Sequence, residues 1–274
     1  FALKFLQEAR ESEKPWYLYV AFNAPHAPLQ PLKEDYEKYQ GRYKKGWDAV
    51  YEARLEKQRK LGLFGKDVKA PPRVDHVRAW DKLDDGWKQF EEMRMTAIAG
   101  MIDRIDREMG RVIADLRQAG ELDNTMILFI SDNGACPYDR GRTRRNVDQK
   151  PYDPTVRWSD STGWAWARNA PFRFYKQNQF EGGICTPAIV HWPVGLQTKP
   201  GSVVDDPVHI IDVLPTLVEL GKATVPTAWP ERELRPISGV SLAPIFAAKP
   251  LENRPPIHLL FGKDRGLRDG DWKL

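Results

Sequence analysis

A long amphipathic helix that leads directly into a short apolar run is the feature that most constrains how this chain can fold. Apolar residues recur at every third or fourth position over 101–116, which is the spacing of one buried helix face, and Gly120 is a typical helix stop. The next run, 125–130, is apolar on both alternating faces, as a buried parallel strand is. We therefore expect a helix that begins near Phe90 and packs against a buried sheet.

Further apolar runs lie at 16–22, 188–192 and 257–260, separated by segments with helical spacing. This alternation predicts an α/β fold with a mostly parallel central sheet and helices on both faces. The sequence starts at Phe1 without a signal-like apolar segment and stops where a strand begins. We therefore expect an internal piece of a longer chain, with a fold that is incomplete at both ends.

The charge pattern narrows the classes of partner. The chain has 42 basic and 38 acidic residues, a net charge of +4, and residues 42–60 hold seven basic and three acidic ones. This single predicted helix accounts for the whole excess, so we interpret it as a solvated face and expect no nucleic-acid partner. No apolar run is long enough to span a membrane. Two cysteines, Cys136 and Cys185, are too few for a disulfide scaffold.

In open α/β sheets, ligands bind beyond the carboxyl ends of the strands, and polar residues follow two of the predicted strands. Asp132 and Asn133 come directly after the run 125–130, and Gly134 lets the backbone turn sharply. Carboxylate and amide oxygens suit Ca²⁺ or Mg²⁺, although a calcium shell needs six to eight oxygens, so other ligands must contribute. The alternative is a plain Asx turn, for which Asp-Asn-Gly is a common sequence.

His26 and Lys176 are the other residues that could carry chemistry. His26 lies among prolines just past the run 16–22, where it could donate a proton to a leaving group or bind an anion. Lys176 precedes a Glu-Gly-Gly sequence, and near a metal its ammonium could clamp a tetrahedral oxyanion. The alternatives are a structural histidine and a solvated surface lysine.

Several standard catalytic motifs are missing from the sequence. It contains no G-x-S-x-G elbow, no P-loop, no H-E-x-x-H and no G-x-G-x-x-G. The stretch 135–170 lacks periodicity but carries five arginines over 140–157 and three tryptophans, Trp158, Trp164 and Trp166, so we predict a long functional loop. One hypothesis is that it holds an acidic glycan through cationic and aromatic contacts.

Taken together, six segments in order along nearly the whole chain resemble the sulfatase family, whose fold belongs to the alkaline phosphatase superfamily. They are YLYVAFNAPHAP (17–28), MIDRIDREMG leading to NTMILFISDNG (101–134), KQNQFEGGICTP (176–187), HIIDVLPT (209–216), GVSL (239–242) and LRDGDWKL (267–274). The resemblance implies that residues 1–256 are part of the large catalytic α/β domain. It also implies that residues 257–274 form the last strand region, which leads to the C-terminal subdomain.

The resemblance implies a sulfuric ester hydrolase that cleaves a sulfate monoester, such as an aryl sulfate or a sulfated carbohydrate. Its nucleophile is a formylglycine made from a Cys or Ser in a C-x-P-x-R-type motif. Neither cysteine fits, because Pro137 stands one place too early after Cys136 and Ile189 stands where the motif after Cys185 needs arginine. We therefore expect the formylglycine upstream of Phe1.

Carried over residue by residue, the resemblance assigns Asp132 and Asn133 as ligands of Ca²⁺ or Mg²⁺, completed by paired aspartates upstream. It assigns His26 and Lys176 as catalytic residues that contact the sulfate oxygens, with His26 also placed to protonate the leaving oxygen. Two alternatives stay open: a phosphate or phosphonate monoester hydrolase of the same superfamily, and a non-catalytic relative that binds acidic glycans. The sequence leaves the cellular location open, while the resemblance favours a periplasmic or secreted protein.

Overall fold

The fold is organised by one long helix, α4 (Asp85–Gln118), in a computed structural model that describes residues 1–138 and 147–274. The helix begins five residues before the expected Phe90, because the Asp84 carboxylate accepts a hydrogen bond from the Trp87 amide, 2.9 Å away, and caps the first turn. It ends at Gln118, and Gly120, two residues later, has a φ of +72°, in the left-handed region that glycine adopts readily.

The remaining helices are mostly short. They are α1 (Ala2–Glu11), α2 (Lys33–Tyr39), α3 (Gly46–Lys60), α5 (Thr162–Arg168), α6 (Glu181–Ile184), α7 (Val213–Leu220) and α8 (Ala243–Phe246). Residues 33–60 form two helices rather than one, because Gly41 takes a positive φ between α2 and α3 and Gly46 takes one where α3 begins. None of the helices within the described residues is both long and apolar enough to cross a membrane.

The described strands form two small sheets. One pairs β1 (Ile127–Ile130) with β2 (Ala188–His191), and the other has the order β3 (Ile257–Phe261), β4 (Asp264–Asp269), β5 (Trp272–Lys273). The mixed α/β class agrees with the prediction, but all of these pairs are antiparallel rather than mostly parallel.

The antiparallel pairing of β1 and β2 follows from the end of the sheet at which the chain returns. The chain leaves β1 and enters β2 at the same end of the sheet, where the Gly134 amide donates to the Gly183 carbonyl over 3.1 Å. The Thr186 hydroxyl likewise donates to the Ser131 carbonyl over 2.8 Å. Because β2 starts where β1 ends, the two strands run in opposite directions, whereas a parallel pair needs a connection that crosses to the other end.

The predicted strand at 16–22 is not a strand in the structure. Trp16 and Leu18 pack against a small cluster of Leu6, Leu116 and Leu122, while the intervening Tyr17 and Tyr19 face solvent. The segment thus keeps the alternation of a strand, but within residues 1–138 and 147–274 it lies in no sheet. Apolar alternation alone does not make a strand, since a strand also needs a neighbour for its backbone hydrogen bonds.

The main core lies between the first half of α4 and helices α2, α3 and α5. At its centre the rings of Trp47, Trp80 and Trp164 meet, with centroids 4.9–5.7 Å apart. Trp158, Trp164 and Trp166 are only 2%, 0% and 6% exposed. The hypothesis that these three tryptophans stack on a glycan is therefore wrong: they are core residues, and most of the arginines of that segment lie in 139–146, outside the described residues.

A buried ion-pair network fixes α2 on α4. The Asp35 carboxylate, 1% exposed, accepts hydrogen bonds from Arg104 Nε at 2.8 Å and Arg107 Nη2 at 2.6 Å. Both arginines lie on α4, so the carboxylate is held by charge-assisted bonds on two sides. The contact also brings the α2 backbone against Gly100, where a Cβ atom would lie 2.9 Å from the Asp35 carbonyl oxygen.

Two glycines of α4 provide a matched test of this packing. Gly110→Ala meets nothing within 4 Å, so it should raise the free energy of unfolding by about 0.5–1 kcal/mol through helix propensity. Gly100→Ala gains the same propensity but must displace the α2 backbone, at a cost of roughly 1–3 kcal/mol. Urea unfolding should therefore shift the two midpoints in opposite directions. A stabilised Gly100→Ala variant would contradict the close contact between α2 and α4.

Candidate functional site

The loop after β1 carries the predicted metal ligands, Asp132 and Asn133. Asp132 is exposed and Asn133 is half-buried. The side-chain Nδ2 of Asn133 donates to the Gly134 carbonyl over 2.9 Å, and Ser131 Oγ donates to the backbone carbonyl of Asn133 over 3.1 Å. Among the described residues, neither the Asp132 carboxylate nor Asn133 Oδ1 has a hydrogen-bond or ion-pair partner, so both oxygens are free to bind a cation.

Lys176 lies directly beside this loop. Its backbone amide donates to the Ala135 carbonyl over 3.1 Å, two residues after Asn133. The turn that follows Lys176 then returns to the same loop through the bond between Gly183 and Gly134. The structure therefore brings the Lys176 turn and the loop with Asp132 and Asn133 together, although they are more than forty residues apart in sequence.

We call the place where the Lys176 turn meets the loop of Asp132 and Asn133 the junction. Close backbone contact there depends on glycine. A Cβ atom on Gly134 would lie 1.7 Å from the Gly182 carbonyl oxygen, and one on Gly182 would lie 2.0 Å from the Phe174 carbonyl oxygen. Gly134 therefore serves by leaving room for a neighbouring carbonyl, whereas the sequence suggested that it permits a sharp turn.

The side chain of Asn169 joins the same pieces, and sequence reasoning missed it. Its Oδ1 accepts from the Ala135 amide at 3.0 Å, while its Nδ2 donates to the carbonyls of Phe174 at 3.0 Å and Gly182 at 2.8 Å. Each partner is distant in sequence or hidden in an irregular segment. No spacing or motif around Asn169 gives a signal for these contacts.

His26 lies in a separate turn that packs on the same core. It is exposed, its Nδ1 lies 2.8 Å from the Ala27 carbonyl, and the Leu29 amide anchors the turn by donating to the Trp158 carbonyl over 2.8 Å. Ala24, Ala135 and Phe174 all pack against the main core. Within 1–138 and 147–274, His26 forms no hydrogen bond or ion pair with Lys176, Asp132 or Asn133.

A second histidine, which the sequence did not single out, contacts the lysine turn. His76 Nε2 lies 2.7 Å from the hydroxyl of Tyr175, the residue before Lys176, and its ring stacks on Phe174. Burial raises the pKa of Tyr175 well above its usual value, so this hydroxyl stays protonated at neutral pH. His76 therefore helps to hold the lysine turn against the core.

Comparison with known proteins gives this geometry a family. The model of the sulfatase family matches residues 1–223. An uncharacterized sulfatase of Schizosaccharomyces pombe is 36% identical over 245 residues, covering 82% of this chain and 43% of its own length. An arylsulfatase of Klebsiella aerogenes is 29% identical over 252 residues, covering 88% and 54% respectively. The chain belongs to the sulfatase family.

The fold agrees with this assignment. The crystal structure of Ps i-CgsB in complex with k-i-k-neocarrahexaose superimposes with a TM-score of 0.58 at 22% identity, over 99% of this chain and 43% of the other. The sulfatase chain thus spans about half the length of the relatives that it matches. The resemblance noted from the six sequence segments is confirmed at the level of family and fold.

Two residues of the sulfatase chain have side chains of the kind that bind a divalent cation. Asp132 and Asn133, neighbours in sequence, carry oxygens that have no hydrogen-bond or ion-pair partner within 1–138 and 147–274, which suits a hard cation such as Ca²⁺ or Mg²⁺. Among the residues that the structure describes, no group of three or more His, Cys, Asp and Glu side chains could hold a metal. The two residues fit part of a calcium shell and require further oxygen ligands to complete it.

Charged groups connect the junction to the second sheet. Lys273 of β5 forms an ion pair with Glu181, the first residue of α6. Cys185 is exposed, but desolvation of its thiol by the surrounding residues and the nearby Glu181 carboxylate raise the pKa of that thiol to about 11. This thiol is therefore almost fully protonated at neutral pH and is a poor nucleophile.

The raised pKa of Cys185 can be tested by alkylation. In a Cys136→Ala background, where Cys185 is the remaining cysteine of this chain, we expect iodoacetamide to react slowly at pH 8. A thiol with this pKa is only about 0.1% ionised at that pH. The rate should rise about tenfold per pH unit up to about pH 10. A half-maximal rate near pH 8.5 would show that the pKa of the Cys185 thiol is not raised.

Proposed function

We propose that the full-length protein is a sulfuric ester hydrolase that cleaves a sulfate monoester with a divalent metal. The observation that carries this proposal is the hydrogen-bonded junction between the Lys176 turn and the loop of Asp132 and Asn133. It brings the backbone of Lys176 to a loop that carries two oxygen donors without a partner among the described residues. Family membership supports sulfate as the anion.

In the proposed mechanism, Asp132 and Asn133 hold the cation, Ca²⁺ or Mg²⁺, together with carboxylates from elsewhere in the protein. The bound cation supplies polarisation of the ester and lowers the pKa of the nucleophile. Lys176 contributes a fixed positive charge toward the non-bridging sulfate oxygens, whose negative charge is spread out in the transition state. His26 holds the proton that the leaving oxygen needs.

The covalent step needs a nucleophile that this chain does not supply at either cysteine. Cys185 is protonated at neutral pH, and neither Cys136 nor Cys185 has the C-x-P-x-R spacing. We place the nucleophile in a formylglycine upstream of Phe1. The substrate is proposed to be an aryl sulfate, which the similarity to the Klebsiella arylsulfatase supports, or a sulfated carbohydrate.

Removal of the lysine charge tests the proposal. In the full-length protein, Lys176→Ala should lower kcat/KM for p-nitrophenyl sulfate by about 10²-fold or more, as loss of one oxyanion donor does elsewhere. Lys199→Ala, which removes an exposed lysine away from the junction, should stay within about twofold of the parent.

Parallel assays with p-nitrophenyl phosphate separate the alternatives. Faster turnover of the phosphate would favour a phosphate monoester hydrolase of the same superfamily. No turnover of either ester by the full-length protein would favour a non-catalytic binding relative. Near-normal sulfate turnover by Lys176→Ala would remove Lys176 from the mechanism.

Metal removal tests the roles of Asp132 and Asn133. Dialysis against EDTA should abolish sulfate ester turnover, and added Ca²⁺ or Mg²⁺ should restore it. Loss of an outer-shell partner usually costs about 10- to 100-fold in metal affinity, so Asp132→Ala, which removes a direct ligand, should cost at least as much by calorimetric titration. Asp123→Ala removes an exposed carboxylate before β1 and serves as the control. Unchanged affinity in Asp132→Ala would contradict the metal assignment.

A further inference from the structure

We propose that Asn169 is a positioning residue that sets the distance between the Lys176 turn and the loop with Asp132 and Asn133. The inference rests on the proposed function, because it concerns how the lysine charge is aligned with the metal ligands. Asn169 itself is not placed against substrate or metal. It acts through Lys176, whose backbone is part of the turn that Asn169 holds.

The contacts of Asn169 use both ends of its carboxamide. The oxygen binds the loop after β1 at Ala135, and the nitrogen binds the lysine turn on both sides of Lys176, at Phe174 and Gly182. One planar group therefore spans the two parts of the site. An aspartate could accept from Ala135 but could not donate to the two carbonyls.

The base of Asn169 is rigid. It directly follows α5, and its backbone amide donates to the Ala165 carbonyl over 3.1 Å. Trp164, Ala165 and Ala167 of that helix are fully buried. The carboxamide thus projects from the end of a buried helix. Its hydrogen bonds therefore hold both loops in a fixed position relative to the core.

The space around the carboxamide is filled by backbone. Gly134 packs against the Gly182 carbonyl and Gly182 packs against the Phe174 carbonyl, so closely that neither glycine could carry a Cβ atom. Two backbone bonds, Lys176 to Ala135 and Gly134 to Gly183, also tie the loops together. They should keep the loops joined when the carboxamide is removed, but the lysine turn is then free to shift, and a displacement of about 1 Å can cost about 10²-fold in rate.

A double-mutant cycle in the full-length protein tests this role. Asn169→Ala should lower kcat for p-nitrophenyl sulfate by about 10- to 100-fold. The double variant with Lys176→Ala should be no slower than Lys176→Ala alone, because Asn169 acts through the lysine. Calcium affinity should stay within about threefold of the parent, since the bonds from Thr186 to Ser131 and from Ser131 to Asn133 hold this loop without Asn169.

Two further variants guard against a purely structural effect. Gln58→Ala removes another carboxamide, whose one hydrogen bond among the described residues goes to the Ala170 carbonyl over 2.8 Å, and its kcat should stay within about twofold. Asn169→Asp keeps the volume of the side chain. It should show the same loss and the same non-additivity, even where Asn169→Ala fails to fold.

The outcomes distinguish the two proposals. No sulfate or phosphate ester turnover by the parent protein would overturn the proposed function and, with it, this inference. Parent turnover with losses that multiply in the double variant would overturn the positioning role alone. Parent-like kcat in both Asn169 variants would do the same.

Discussion

The candidate site depends on one contact, the meeting of backbones where the chain leaves β1 and enters β2. The amide of Gly134 bonds to Gly183, and the amide of Lys176 bonds to Ala135. These bonds close a long excursion of the chain at one end of the sheet, and they make β1 and β2 antiparallel. They also bring a lysine to a loop whose acidic and amide oxygens have no partner among the described residues.

The junction is stable because residues 147–173, the described part of the segment between its two halves, contribute to the core. Trp158, Trp164 and Trp166 lie in this segment and are buried, and the indole of Trp164 donates to the Glu91 carbonyl of α4 over 2.7 Å. Fully buried aromatic side chains contribute large apolar areas. The helix α5 therefore gives Asn169 a fixed origin, and function rests on packing some distance from the charged groups.

Part of this architecture could be predicted from the sequence, because some elements carry a local signal. The periodicity of α4 and the apolar run of β1 identified both elements, while the assignment of Asp132 and Asn133 as metal ligands, made from polar residues at a strand end, stays a prediction. The pairing direction of β2 and the burial of the tryptophans could not be predicted, since they depend on contacts between distant segments. Asn169 and His76 were missed for the same reason.

We propose that Asp132, Asn133 and Lys176 form one metal-and-sulfate site, and a crystal structure of the full-length protein with Ca²⁺ and inorganic sulfate tests this most directly. In that structure we expect side-chain oxygens of Asp132 and Asn133 about 2.3–2.6 Å from the cation. We also expect Lys176 Nζ about 2.8 Å from a sulfate oxygen, with Asn169 still bonded to both loops. A cation bound away from Asp132, or a sulfate out of reach of Lys176, would contradict a shared site.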